Sequence, residues 1–314
     1  MPSQNVHVYG PVPSRRLGYS LGVDILPFKT CTLDCIYCQL GPTPRKTLER
    51  KNFYPRSEIL SQIRERIQSG ARIDYITFSG SGEPTLYRGL GELIRDIKNM
   101  TDIPVAVLTN STTISSPPIR NELREADLVV PSLDAAVQPV FEKVNRPHPE
   151  LQIKDIIQGL TLFKQEFSGS LWIEILLVKG INDSEQHIQA LRKALDQIKP
   201  DKVQLNTVVR PPAESFARPL SFKDLERIQS RLNHNCEIIA DFSPKHQTMI
   251  SENLKESILA MIRRRPVTLK DISDSLGIHK NEALKYLNFL INENDIKPVK
   301  YENKTYYEPK GNQE

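Results

Sequence analysis

Six short apolar runs separated by helix-patterned stretches predict an α/β protein built on a parallel sheet. The runs fall at residues 21–26, 75–78, 105–108, 128–130, 172–178 and 203–205. Helical periodicity fills residues 57–68, 89–98, 153–167 and 184–198 between several of them. Strands that alternate with helices are joined by crossover connections, which makes neighbouring strands parallel. Six such units either curl into a full or partial barrel or spread into a doubly wound sheet, and periodicity alone does not separate the two.

The pattern changes after about residue 241. Helical stretches at 253–265 and 269–276 are followed by Gly277 and a third helix at 279–292, whose apolar positions are Ala283, Leu284, Leu287, Leu290 and Ile291. Residues 297–308 read as a hairpin, with Val299, Tyr301, Tyr306 and Tyr307 around a polar turn. Helix, helix, turn, helix, hairpin is the order of a winged helix-turn-helix unit. This divides the chain into residues 1–245 and 250–314, with the boundary near 244–251. Ile258, Ile262, Ile272, Leu276, Leu287 and Leu290 give the small unit a core of its own, so the first unit is expected to fold and keep its chemistry without it, while remote contacts from the small unit help to position a substrate. Residues 251–314 hold 11 basic and 10 acidic side chains, a balance that predicts weak or no binding to duplex DNA.

Composition excludes several classes. With 39% hydrophobic and 25% charged residues in 314, the chain is globular rather than disordered. No apolar run approaches the roughly 20 residues of a membrane helix; the longest candidate, residues 171–178, is broken by Glu174. The amino terminus lacks the basic-then-apolar pattern of a signal peptide, and a cytoplasmic location is expected. A formal charge of +4 permits contact with nucleic acid or another anion without demanding it.

Three of the four cysteines crowd into Cys31-Thr-Leu-Asp-Cys35-Ile-Tyr-Cys38. A structural zinc site takes four protein ligands, and a fourth here would have to be the isolated Cys236 or one of six scattered histidines. Thiolates are the preferred ligands of iron–sulfur clusters, and three of them on a four-iron cluster leave one iron open. The C-x3-C-x2-C spacing, with Tyr37 before the third cysteine, resembles the cluster loop of the radical S-adenosylmethionine superfamily. That resemblance implies a 4Fe-4S cluster on Cys31, Cys35 and Cys38, with S-adenosylmethionine chelating the open iron. It further implies reductive cleavage of the sulfonium, a 5′-deoxyadenosyl radical that abstracts hydrogen from a substrate, and a partial (β/α)6 TIM-like barrel. An electron donor such as a flavodoxin or ferredoxin is implied as a partner.

Further signals share one address, the carboxyl ends of predicted strands, where β/α barrels build their sites. Tyr75-Ile-Thr-Phe-Ser-Gly80-Ser81-Gly82-Glu83-Pro84 places a glycine-rich turn and a carboxylate after the second strand. It resembles the superfamily's Gly-Gly-Glu motif, which holds the methionine amino group and implicates Gly82 and Glu83; Ser81 stands where a glycine is usual. Asn110 ends the next strand, and Ser132 and Asp134 end the one after it. These read equally as helix caps or as ribose and methionine contacts, and the resemblance favours the contacts. Asn182, after Gly180, resembles a loop near adenine in relatives, and both residues suit a plain turn. Arg15, Arg16 and Arg210 beside a barrel mouth, with the basic polar stretch at Asn145, Arg146 and His148, suit an anionic substrate.

Over about residues 8–245 the chain resembles the branch related to enzymes that build the tricyclic wyosine base in tRNA, which leaves tRNA, a peptide or an anionic metabolite as substrate classes. The competing reading is a redox-sensing transcription regulator carrying the cluster. The Gly82-Glu83 loop and the strand–helix alternation speak against it, because a sensor needs neither.

Overall fold

The computed structural model describes residues 6–14, 16–209, 212–240, 252–264, 266–276, 278–301 and 304–310. Its first part runs β1 (Val8–Ser14), β2 (Gly18–Val23), α1 (Arg56–Gln68), β3 (Tyr75–Phe78), α2 (Leu90–Lys98), β4 (Val105–Thr109), α3 (Pro117–Leu123), β5 (Leu128–Pro131), α4 (Gln138–Asn145), α5 (Ile153–Glu166), β6 (Ser170–Leu177), α6 (Glu185–Ile198), β7 (Lys202–Thr207), α7 (Phe222–Leu232) and β8 (Cys236–Ile238). Among the described residues these strands form one eight-stranded sheet in chain order, β1 to β8. β1 is antiparallel to β2, and every later pairing in this sheet is parallel. Neighbours in space that are neighbours in sequence suit an open, curled β/α arrangement rather than a doubly wound sheet, whose strand order reverses.

Two strands extend the six expected from the sequence. β1 carries Gly10, Pro11 and Pro13, which hide a strand signal but suit an edge, where an absent N–H leaves no ladder bond unmade. β8 is three residues long, too short for a periodicity to register. The first parallel strand lies at Gly18–Val23, three residues before the expected apolar run. Residues beyond it already belong to the loop that carries the cysteines.

Alternation along the strands explains the layout. β6 shows it most clearly: Leu171, Ile173, Ile175 and Leu177 are fully buried, while Trp172, Glu174 and Leu176 are partly exposed. The first set packs with Ile76, Phe78, Val105, Val107, Val129, Val203 and Leu205 against the helices, in the large core. The second set points to the opposite face. There Leu17, Ala106, Leu128 and Val130, with Tyr75, Leu108 and Trp172 against them, form a small separate apolar cluster. Ser20, Thr77, Glu174 and Asn206, on that same face, line a cavity.

The last part contains α8 (Glu252–Arg264), β9 (Val267–Thr268), α9 (Leu269–Leu276), α10 (Lys280–Asn292), β10 (Ile296–Tyr301) and β11 (Lys304–Pro309). A three-stranded antiparallel sheet of order β10–β11–β9 backs the helices. Ile258, Ile262, Val267, Ile272, Leu287 and Leu290 form an apolar cluster separate from the large core. The boundary expected near 244–251 lies outside the described residues. Among the described residues no helix is long and apolar enough to cross a membrane.

Core burial should dominate local stability. Phe163 on α5 is fully buried and its ring stacks on Phe167 at 4.7 Å. Phe163→Ala is expected to lower unfolding free energy by about 3–5 kcal/mol. Phe216, 51% exposed, should tolerate the same change within about 0.5 kcal/mol. Denaturant unfolding followed by circular dichroism checks both.

Candidate cofactor site

The cysteine loop leaves β2 and is pinned from two sides. The Asp34 and Ile36 amides donate to the Asn145 and Val144 carbonyls at the end of α4, at 3.0 and 3.1 Å, and the His148 amide donates to the Thr32 carbonyl at 2.9 Å. On the other side Asn110 Nδ2 donates to Thr32 Oγ1 at 2.8 Å, and the Thr32 and Thr112 hydroxyls meet at 2.7 Å. Inside the loop a Cys38 N–H to Cys35 carbonyl bond of 3.1 Å closes a turn. The loop has no regular structure of its own, so these bonds satisfy backbone that would otherwise be orphaned.

Each of the three thiols receives a side-chain N–H donor, and Cys31 the Leu33 backbone N–H as well. Lys29 Nζ lies 3.2 Å from Cys38 Sγ, Asn145 Nδ2 lies 3.3 Å from Cys35 Sγ, and Asn110 Nδ2 lies 3.4 Å from Cys31 Sγ. Burial pushes the Cys31 thiol up to about 11 and raises Cys35 well above its ordinary value. The donors favour the thiolate form and oppose that burial. Among the described residues no three His, Cys, Asp or Glu side chains converge closely enough to hold a single metal ion. Three thiols, each with a side-chain N–H donor, match the three-thiolate ligand set of a four-iron cluster with one iron left open, whereas a structural zinc takes a fourth protein ligand. Cys236 lies on β8 paired with Val203, away from this loop, and burial pushes its thiol up to about 12.

Cys31 and Cys38 face a cavity of about 420 Å3 on the inner side of the sheet, a size suited to a nucleoside-containing ligand. Its wall includes Ser20, Thr77, Gly80, Ser81, Gly82, Glu174 and Asn206. Gly82 is required for space: a Cβ there would stand 1.9 Å from the Thr30 carbonyl oxygen. Ser81 is accommodated where a glycine is usual, its amide donating to Asp24 at 2.9 Å and its carbonyl accepting from the Lys29 amide at 2.6 Å.

The other expected contacts sit elsewhere. Glu83 is buried and its carboxylate accepts from the Thr85 amide and hydroxyl, the Thr109 hydroxyl and the Asn110 amide, at 2.6–3.1 Å. Burial raises its pKa. It ties the end of β3 to the end of β4 and does not line the large cavity. Asn110, Ser132 and Asp134 line a neighbouring void of about 20 Å3, room for a single water rather than a ribose. Asn182 is fully buried, accepting from the Val178 amide and donating to the Asp134 and Leu176 carbonyls. It staples its own turn.

Arg16 lines the cavity in a two-pronged ion pair with Glu174, at 2.7 and 3.0 Å, and Asn206 donates to the same carboxylate at 2.9 Å. Arg146 pairs with Glu214 at 2.7 Å and His148 with the loop backbone, so this stretch braces the site instead of facing it. Arg15 and Arg210 lie outside the described residues.

Several contributors escaped the sequence reading. Lys29 carries no motif, and Asn145 is expected only within a polar stretch suited to an anionic substrate, not as a donor to a thiol. Most unexpectedly, Asn281 and Lys285 of α10 line the same cavity. The last part of the chain therefore reaches the cavity beside the cysteines directly, beyond the remote substrate contact expected of it. Nothing in a near-neutral helix with its own core signals that it will close a distant cavity.

The model of the Radical SAM superfamily matches residues 25–192. A UPF0026 protein of Methanocaldococcus jannaschii is 33% identical over 95% of this chain and 94% of its own length. A Brachyspira hyodysenteriae protein named GTPase Obg is 37% identical over 92% of this chain, but the chain spans only 43% of that relative. A radical SAM methyltransferase structure from Sphaerobacter thermophilus superposes with a TM-score of 0.56 at 18% identity, covering 71% of this chain and 67% of that one. At that identity the likeness concerns the fold.

The void beside the loop offers a test of its electrostatics. Asp134 accepts hydrogen bonds from the Tyr37 hydroxyl, from Asn145 at 2.8 Å and from the Leu176 amide at 2.8 Å. Burial nevertheless pushes its carboxyl up from 3.8 to about 6. The folded state then binds this proton more tightly than the unfolded chain, so the group's contribution to stability falls as pH rises between those values. Asp134→Asn cannot titrate. In denaturant unfolding of the apoprotein, wild-type stability relative to the variant should drop by up to about 3 kcal/mol from about pH 4 to about pH 7. A difference that stays constant across that range would contradict the assignment.

Proposed function

The chain belongs to the radical SAM superfamily, and from that premise we propose that Cys31, Cys35 and Cys38 hold the 4Fe-4S cluster and that the adjoining cavity receives S-adenosylmethionine and a substrate from which hydrogen is abstracted. The protein is an enzyme of that superfamily, and a 4Fe-4S cluster and S-adenosylmethionine are its cofactors. The observation that carries the residue assignment is the set of three thiols in one loop, each with a side-chain N–H donor, two of which, Cys31 and Cys38, line one large cavity. When bound, the reduced cluster and S-adenosylmethionine supply the 5′-deoxyadenosyl radical.

The chain's own residues position and insulate that chemistry. Lys29, Asn110 and Asn145 hold the sulfurs and set how readily the cluster accepts an electron. Gly82 brings the strand-end backbone against the cysteine loop, on the cavity wall where the motif it resembles holds the methionine amino group. Glu83 acts through Thr109 and Asn110, keeping the Asn110 side chain on the loop. Asp134 and Ser132 support the same region from β5, and Asn182 shapes the turn after β6.

The cavity favours a substrate with an anionic group, since Arg16, Lys29 and Lys285 face Glu174 as its only acidic lining residue among those described. A nucleotide in tRNA, the substrate class of the branch that residues 8–245 resemble, carries such a group; a phosphorylated metabolite does also. The order α8, β9, α9, α10, β10, β11 supports reading the last part as a winged helix. Its cavity-facing α10 supports a role in presenting substrate. A one-electron carrier such as a flavodoxin or ferredoxin fits as the reductant.

Anaerobically reconstituted protein should contain one four-iron cluster and, with dithionite, convert S-adenosylmethionine to 5′-deoxyadenosine and methionine. Cys→Ala at 31, 35 or 38 should abolish both, and Cys236→Ala should leave both intact. Zinc in place of iron, or a holoprotein that binds no S-adenosylmethionine, defeats the proposal. Asn145→Ala removes the donor to Cys35. It should leave the cluster assembled and move its reduction potential to a more negative value in a potentiometric titration followed by electron paramagnetic resonance.

A further inference from the structure

The two parts of the chain meet at a small buried contact beside the cavity. His279 caps the amino end of α10, its Nδ1 accepting the Asn281 amide at 3.1 Å. That nitrogen therefore carries no proton, and a neutral ring bears its hydrogen on Nε2. Nε2 stands 3.0 Å from Asp24 Oδ2, with both side chains less than one-tenth exposed. The Tyr9 ring stacks on the imidazole at 4.7 Å and 14°, and the Tyr9 hydroxyl lies 3.1 Å from Ser79 Oγ.

Asp24 is the pivot. Its Oδ2 accepts the Ser81 amide at 2.9 Å, and its Oδ1 the Leu26 amide at 3.3 Å. The carboxylate lies against Gly80, where a Cβ would come within 2.3 Å of it. One buried carboxylate thus joins the cap of α10 to the Gly80–Gly82 backbone on the cavity wall. A buried carboxylate lacking one of its donors shifts or recruits water, and a small displacement of a binding backbone costs affinity.

We propose that His279 is a positioning residue for S-adenosylmethionine: by donating to Asp24 it sets the place of the carboxylate that holds the Ser81 amide, and so the path of the Gly80–Gly82 segment. The role rests on the reading of this cavity as the S-adenosylmethionine site. It makes the carboxyl-terminal part a component of the cofactor site. Docking of α10 and occupancy of the cavity then favour each other reciprocally, because linkage between two equilibria is symmetric.

The experiment uses the full-length chain with its cluster reconstituted anaerobically and measures S-adenosylmethionine binding by equilibrium dialysis. His279→Ala should retain its iron but bind the cofactor about tenfold more weakly, the scale of one buried hydrogen bond to a charged group. His279→Gln, whose amide N–H can reach Asp24, should recover most of that loss. Lys300→Ala serves as the comparison, because Lys300 Nζ donates to the Ala213 carbonyl at 2.7 Å, a contact between the two parts that does not involve Asp24. Its affinity should equal wild type. In wild-type protein, S-adenosylmethionine should slow hydrogen exchange at the Asn281 amide, a reading that stands even if His279→Ala does not fold. Unchanged affinity in His279→Ala, an equal loss in Lys300→Ala, or unaltered exchange at Asn281 overturns the inference. A wild-type holoprotein that binds no S-adenosylmethionine removes the premise itself, and that result is separable because it needs no variant.

Discussion

A loop bearing three thiols has no regular structure to hold its shape, and the site depends on how Leu33 and Ile36 anchor it in the large core and how its neighbours bond to its backbone. Residues 31–38 are clamped between the end of α4 and the segment after β4, with Thr32, Asp34 and Ile36 tied through backbone or hydroxyl groups. The same two flanks supply Asn145 and Asn110 as donors to Cys35 and Cys31. Support and electronic tuning therefore come from the same residues. Loosening either flank would disturb both sulfur position and sulfur solvation at once.

Buried carboxylates are the recurring device that ties such loops to the sheet. Asp24, Glu83 and Asp134 each lie deep in the protein and each accept at least one backbone N–H from another segment. An unpaired charge at such depth would cost several kcal/mol, so each carboxylate strongly selects the arrangement that satisfies it. Asp127 and Asp201 repeat the pattern nearer the surface, holding the Val105 and Leu171 amides at the starts of β4 and β6. One chemical solution thus serves both ends of the sheet, fixing strand entry at one and the cavity wall at the other.

The inner face of the sheet shows why this fold can host a ligand. A β/α barrel interior packed with apolar side chains has no room for one. Here an apolar cluster around Leu128 and Val130 occupies part of the inner face, and Ser20, Thr77, Glu174 and Asn206 on the same face are polar. Arg16 and Asn206 satisfy Glu174, so the one acidic group lining the cavity among the described residues is compensated. α10 approaches the same cavity and presents Asn281 and Lys285 to it.

The sequence by itself determined the strand–helix alternation, the three-thiol loop and the glycines that let backbone approach backbone, because each is a local pattern set by side-chain period or by the absence of a side chain. Gly82 was legible as a motif glycine in a strand-end turn, and the structure shows the Thr30 carbonyl whose approach demands it. The destinations of Glu83, Asn110 and Asn182 were not legible, since a short polar residue at a strand end can equally cap, staple or bind, and only the partners brought near by folding choose among these. Lys29 gave no signal, and Asn145 none of this role, for the same reason: an amine or amide becomes a sulfur donor only when a distant loop delivers the sulfur. The tertiary structure alone decided that His279 meets Asp24, 255 residues earlier in the chain. A contact between two separately cored parts leaves no periodicity in either, so it emerges only when their surfaces are set against each other in space.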